Sequence, residues 1–272
     1  MSRTRDARAG GLRACPHRCL RRVPRRSLAT RRTAAALGVV LASACASSGS
    51  VDQTVQLPEP PAAITAEAVR AEQATRLTEA ARLVFAWRAQ EPDFRGEGTG
   101  VARIEPPAKA RLDLFLDNGE VAAIAALVGD ELRIPAELPS ELVPPPALFW
   151  AALGVFRPGD DATLVAGRED NGTMELEYRL PTAGGVRFRL RGHAVADAMV
   201  LDGGAVVQRV LATEPGPGSD YPAEATYRNL RDYRELRLRL ETFEHVDSFP
   251  SNIWNPGLRG SRRDPASRGG RL

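Results

Sequence analysis

Met174-Glu-Leu-Glu-Tyr-Arg-Leu180 puts Met174, Leu176, Tyr178 and Leu180 on one side of an extended chain. Glu175, Glu177 and Arg179 take the other side. Successive side chains of a strand point to opposite faces, so this stretch is a strand with one apolar and one wet face. The same alternation recurs in Arg111-Leu-Asp-Leu-Phe-Leu116, Val186-Arg-Phe-Arg-Leu-Arg191 and Leu236-Arg-Leu-Arg-Leu-Glu241. Between such runs stand Asp117-Asn-Gly119, Asp170-Asn-Gly172, Ala183-Gly-Gly185 and Asp202-Gly-Gly204, which supply the positive-φ residues of tight hairpins. These cues give about ten strands. The fold class is mainly β (α+β), one curved antiparallel sheet or barrel with a wet outer face.

Two segments leave that period. Ala62 to about Arg82 holds Val69, Gln73, Leu77, Ala80 and Val84 at helical spacing with no Gly or Pro, which predicts an N-terminal helix. Leu83–Gln90 is read as the first strand, closed by Glu91-Pro-Asp93. Leu142-Val-Pro-Pro-Pro146 leads into Ala147-Leu-Phe-Trp-Ala-Ala-Leu153 and ends on Gly154. Pro at the start and Gly past the end bracket a short helix. Its Leu148, Phe149, Trp150 and Leu153 must press on the apolar face, either as plain core or as a lid over a cavity.

The N-terminus reads as targeting. Leu37-Gly-Val-Val-Leu-Ala-Ser-Ala-Cys45 closes an apolar run on small residues and then a thiol, the pattern of a bacterial lipobox. Thr33–Ala44 is twelve residues, short of the ~20 that span a bilayer, so it is a signal core. Residues 1–44 are expected to be cleaved, leaving Cys45 lipidated. A tether (residues 45–61), a folded domain (62–256) and a disordered Arg/Gly/Ser tail (257–272) would follow. Segment His245–Pro256 is expected to pack back on the edge or mouth of the barrel.

Charge follows from the same cut. The 37 basic and 34 acidic residues give +3. The first 44 hold eleven Arg and one Asp, so the mature chain has 26 basic and 33 acidic residues, or −7. That balance gives no reason to expect nucleic-acid binding. The three cysteines are Cys15, Cys19 and Cys45. Cys15-Pro-His17-Arg-Cys19 falls inside the discarded segment, so no metal site is read from it. With Cys45 lipidated, the domain has no disulfide.

No nucleophile elbow, zinc helix or phosphate loop is present, and no cofactor or metal is called for. His193 and His245 stand alone and read as surface or satisfied core histidines. Glu175 and Glu177 read as solvated cross-strand partners of Arg. Binding, not catalysis, is the expected activity.

The element order resembles the LolA/LolB-like family of outer-membrane lipoproteins, on its LolB side, over residues 62–248. The resemblance is carried by the lipobox, the N-terminal helix, the strands ending at Arg111–Leu116, the Pro-initiated helix with Trp150, the exit Gly154-Val-Phe-Arg-Pro-Gly-Asp160, and Tyr221-Pro-Ala. It implies a half-open β-barrel closed by helices around an apolar cavity. It also implies acyl chains of lipids or lipoproteins as ligand, a periplasmic LolA-like carrier as donor, and an outer-membrane location facing the periplasm. Leu116, at the turn after the third strand of that pattern, matches the membrane-probing position. The candidate cavity liners are Phe85, Trp87, Leu112, Leu114, Phe149, Trp150, Phe188, Leu190, Leu236 and Leu238, each of which reads equally well as ordinary core. The competing expectation is a structural lipoprotein with a filled core that docks an envelope complex.

Overall fold

The computed structural model describes residues 54–257 except Pro139, residues 182–183 and Pro217. The signal segment, Cys45 and the tail from residue 258 lie outside the described residues.

Twelve strands form one antiparallel sheet. They are β1 (Ala80–Gln90), β2 (Arg95–Glu105), β3 (Lys109–Leu116), β4 (Val121–Val128), β5 (Glu131–Arg133), β6 (Thr163–Asp170), β7 (Thr173–Arg179), β8 (Gly185–Arg191), β9 (Ala194–Asp202), β10 (Ala205–Ala212), β11 (Glu224–Asn229) and β12 (Arg234–Val246). The order is β5-β4-β3-β2-β1-β12-β11-β10-β9-β8-β7-β6, two meanders joined where the first and last strands pair. Bulges at Val84/Phe85, Leu114/Phe115, Leu164/Ala166, Arg189/Leu190 and Val206/Gln208 increase local twist and bend the sheet around its apolar face. The turns fall on two rims. The upper rim carries β1–β2, β3–β4, β7–β8, β9–β10 and β11–β12. The lower rim carries β2–β3, β4–β5, β6–β7, β8–β9 and β10–β11.

Two helices complete the fold, α1 (Ala62–Ala74) and α2 (Pro146–Ala152). The N-terminal helix is shorter than its sequence pattern predicts. It stops at Thr75, whose hydroxyl donates to Ala71 O (3.1 Å) and accepts the Phe156 N–H (3.0 Å). The buried stripe is Ile64, Ala68 and Ala71, whereas Val69 is 51% exposed. The first strand therefore begins at Ala80, three residues before the expected Leu83. Small residues let α1 lie close to β6, where a Cβ on Gly167 would come 3.0 Å from Ile64 Cγ2.

Part of the stretch read as a tether is docked. Thr54 hydrogen-bonds Gly204 O, Leu57 is buried, and Pro58 O accepts the Gly167 N–H (2.9 Å). That last bond satisfies a donor on edge strand β6 that would otherwise invite strand addition. At the other end of the chain, a 3-10 turn (Ser251–Trp254) packs on the outer face of β3 and β4, not at the mouth. Arg111 and Arg133 hold it through Ile253 O (2.7 Å) and Trp254 O (3.2 Å).

The outer face is less wet than expected. Glu175, Arg187, Asp197 and Asp113 are all buried among their partners. Asp113 bonds Arg103 (2.5 Å) and Arg111 (2.6 Å), and Asp197 bonds Arg209 (2.5 Å). Burial pushes the Glu175 carboxyl up, but Arg189 and Arg168 outweigh it and hold the group below its ordinary value. Long arginines laid along the sheet cover these carboxylates with their own stems, which alternation alone does not reveal.

Three tyrosines are sunk in the core with hydroxyls hard to ionise. Burial pushes Tyr221 and Tyr227 up to about 12, and Tyr178 higher still. An unfolded tyrosine ionises near 10, so above that pH the unfolded chain holds fewer protons than the native one. The contribution is intact below pH 10 and is lost as pH rises towards 12. Urea unfolding at pH 8, 10 and 11 should show no tyrosine-linked change to pH 10 and a steep fall beyond it. Phe replacements at these positions should flatten that fall.

Candidate functional site

All ten candidate liners face the concave side of the sheet or belong to α2, and all are buried. Helix α2 lies across β9, β10 and β11. It starts on Pro145 and Pro146, whose fixed φ suits a first turn and whose missing N–H groups need no partner. It ends at Gly154, with φ +80, where a Cβ would come 2.8 Å from Pro222 Cδ. Leu148, Phe149, Trp150, Ala151 and Ala152 are all buried.

Beneath this helix the space is taken. Leu112, Phe149, Tyr227, Leu236 and Leu238 surround a free volume of about 10 Å³, room for a single water. In this conformation α2 acts as a plug, and the expected cavity under residues 147–153 is filled.

The open volume lies beyond Trp150, at the lower rim. A pocket of about 480 Å³ is bounded by α1 (Val69, Glu72, Gln73), by Arg76 and Leu77, by the β2–β3 turn (Pro107, Ala108), and by Val128 and Gly129. Trp150, Val155 and Phe156 complete the wall. Trp150 is fixed by its Nε1–H donating to Gly129 O (3.2 Å). Phe156 stands edge-on to Phe188 (4.9 Å) and Tyr178 (6.1 Å), so the wall of the pocket is also the skin of the core.

The rim of the pocket is charged. Arg157 bonds Asp160 (2.6 Å) and lies 3.4 Å from Asp130, while the Asp160 N–H donates to Asp130 (2.7 Å). This clasp joins the β4–β5 turn to the segment entering β6, across the gap between the two edge strands. Lys109 bonds Glu105 (2.9 Å) and sits 5.7 Å over the Trp254 ring. Arg76 and Glu72 stand at the entrance. The segment Thr75–Glu79 separates this pocket from a second one of about 360 Å³, bordered by His193, Tyr221 and His245. His193 meets Glu67 (2.8 Å) and His245 meets Glu79 (3.1 Å). Arg70 first, and His193 with it, hold the exposed Glu67 carboxyl below its ordinary value.

Apolar side chains beside the charged Glu72, Arg76, Lys109, Arg157 and Asp160 suit a molecule with an apolar tail and a polar end. Among the expected liners only Trp150 reaches the open pocket. Val69, Arg76, Leu77, Lys109, Phe156 and Arg157 come from segments far apart in sequence. The exit Gly154-Val-Phe-Arg-Pro-Gly-Asp160, quoted above only for the family resemblance, supplies Val155, Phe156, Arg157 and Asp160 to this pocket. Leu116 is not a projecting tip, because it is half-buried against the core. The exposed large apolar residue of that hairpin is Val121, beside the exposed Asp117–Glu120 turn.

No helix among the described residues is long and apolar enough to cross a membrane. The chain matches no protein-family model and no curated protein. It is similar to solved structures of a LolA superfamily protein from Nitrosomonas europaea (12% identity, 69% of this chain and 96% of that one, TM-score 0.43). An outer membrane lipoprotein-sorting protein domain from Vibrio parahaemolyticus matches at 10% identity, over 71% and 96%, with TM-score 0.49. A DUF1329 family protein from Desulfovibrio piger matches at 10% identity, over 72% and 98%, with TM-score 0.48. At these identities and scores the similarities assign neither a family nor a ligand to this chain.

Proposed function

We propose that this chain is a non-enzymatic lipoprotein of the bacterial envelope, anchored by lipidated Cys45, that binds an acyl chain of a lipid or lipoprotein at its lower rim. The observation that carries this reading is the pocket of about 480 Å³ whose apolar lining, Val69, Leu77, Val128 and Val155, lies in front of the buried Trp150 and Phe156 of the core. Its volume lies within the range of small-molecule sites, about 300–1,000 Å³. Each methylene buried there contributes about 0.8 kcal/mol. The sequence resemblance to LolA/LolB-like lipoproteins supports the same ligand, a carrier as its donor, and a role in placing lipoproteins at the outer membrane. Two or more acyl chains on Cys45 hold a protein stably at a membrane, and the resemblance supports the outer membrane, facing the periplasm, as that membrane.

A second reading is a scaffold that docks an envelope complex. The filled space under α2, about 10 Å³, favours it. The two readings part on whether the pocket takes a tail.

Val69 lines the pocket from an exposed helical position, so Val69→Asp places a charge against a bound tail without entering the core. A labelled long-chain fatty acid should bind the chain lacking Cys45, and bind this variant at least about tenfold more weakly. The thermal midpoint should stay within about 2–3 °C, as for other surface changes. Equal binding by both chains, or binding by neither, would sink the acyl-chain reading.

A further inference from the structure

Six large apolar side chains are exposed among the described residues: Val55, Val69, Phe94, Val121, Leu230 and Tyr233. Val69 belongs to the pocket. The other five gather on the upper rim. Phe94 closes the β1–β2 turn, Val121 follows the β3–β4 turn, and Leu230 and Tyr233 bracket the β11–β12 turn. Val55 follows Thr54, whose N–H and hydroxyl both donate to Gly204 O in the β9–β10 turn. The lower-rim turns expose no large apolar residue among those described.

These tips are held in place. Asn229 Oδ1 accepts the N–H groups of Arg231 (3.1 Å) and Asp232 (3.2 Å), and Leu230 N–H donates to Val207 O (3.0 Å). Tyr233 is 82% exposed and sits at φ +54, where glycine or asparagine would cost less. Folding has no use for a tyrosine there. An amphipathic aromatic on a rigid tip suits the headgroup layer of a bilayer. Arg231 pairs with Asp202, Arg228 with Glu235 and Arg234 with Glu91, while Arg95 beside Phe94 stands among the exposed carboxylates Asp93, Asp117 and Glu120, so the rim is no basic patch and attraction rests on apolar contact.

The chain path fixes which partner covers this rim. Thr54 lies nine steps along the chain from Cys45, a reach of at most about 30 Å when fully extended. A lipid on Cys45 therefore keeps Thr54, which is bonded to the β9–β10 turn of the upper rim, within about 30 Å of the membrane that holds the lipid.

We infer that the upper rim is a membrane-seating face, with Phe94, Val121, Leu230 and Tyr233 in the bilayer interface. This rests on the anchoring of Cys45 and is independent of what the pocket binds.

The test uses the full chain, produced in a bacterial host, purified with its lipid and placed in vesicles of phosphatidylethanolamine and phosphatidylglycerol. Spin labels go singly on Phe94→Cys and Tyr233→Cys at the upper rim, and on Asp170→Cys and His193→Cys at the lower. Upper labels should collide with an aqueous relaxant on the order of tenfold less often than lower ones. Equal exposure at both rims, or protection of the lower labels, would overturn the inference. If the Cys45 peptide carries no lipid by mass, the anchor reading fails separately, and flotation of the unlipidated chain on the same vesicles decides. Flotation lost in the Phe94→Ser/Tyr233→Ser double variant supports the face, and absence of flotation overturns it.

Discussion

Trp150→Ala is expected to lower the unfolding free energy by about 3–5 kcal/mol, the range for large aromatics removed from cores. Domains of this kind rest on about 5–15 kcal/mol in total, so a third or more of the margin is at stake. Two effects add. The indole is almost wholly buried, and its Nε1–H supports the β4–β5 turn through Gly129 O. Removing it leaves that carbonyl without the bond and leaves a void on the inner side of the pocket. In a chain that still folds, the void joins the pocket, so long acyl chains should gain affinity relative to short ones. Trp150→Phe separates the two effects. It refills most of the volume and should cost only about 1–2 kcal/mol, the scale of one hydrogen bond to a part-buried group. Urea unfolding at constant m-value reads the first effect, and a chain-length series of fatty acids reads the second. A loss under about 1 kcal/mol would mean that α2 is not the plug the packing describes.

Gly98→Ala should be at least as damaging, for a different reason. Gly96, Gly98 and Gly100 occupy the concave face of β2 at period two, and Trp87 of β1 lies over them. A Cβ on Gly98 would fall 2.1 Å from Phe115 O, which is backbone and cannot turn aside. The bulge at Leu114/Phe115 aims that carbonyl inward, where the Trp87 indole N–H takes it at 3.0 Å. Accommodating one methyl therefore means parting β2 from β3 or undoing the bulge, a cost of about 3 kcal/mol or more. Gly100→Ala is the control. Its Cβ meets Leu114 Cδ2 at 2.8 Å, the far end of a flexible side chain, so about 1 kcal/mol is expected. Thermal unfolding of both variants checks the order, and equal losses would contradict it.

Those glycines mark where the sequence stopped being legible. Strands β3, β7, β8 and β12 announce themselves because charged residues alternate with large apolar ones. β2 hides its period in glycines, and β4 (Val121–Val128) hides it in alanines, so neither stands out by alternation. Helix α2 was bounded correctly because proline and glycine act locally. Helix α1 was overrun because Leu77, Ala80 and Val84 continue its spacing, while what ends it is a tertiary bond from Phe156 to Thr75. The curved sheet with two helices matches the expected class. The pocket could not be read in advance, since its walls come from separate short segments and none carries a pattern alone. The residues that could be read, such as Leu112, Leu236 and Leu238, turned out to fill space, not to enclose it. Cys45, on which the anchor depends, lies outside the described residues and stays a matter of sequence pattern.

The most direct test of the acyl-chain reading is native mass spectrometry of the chain from Ala46 onward, secreted by a bacterial host and purified without detergent, followed by lipid extraction. One acyl-bearing molecule per chain is expected, depleted in Val69→Asp while the fold persists. A bare mass for both chains, with no uptake from added phospholipid or acylated peptide, would contradict it and leave the filled-core scaffold.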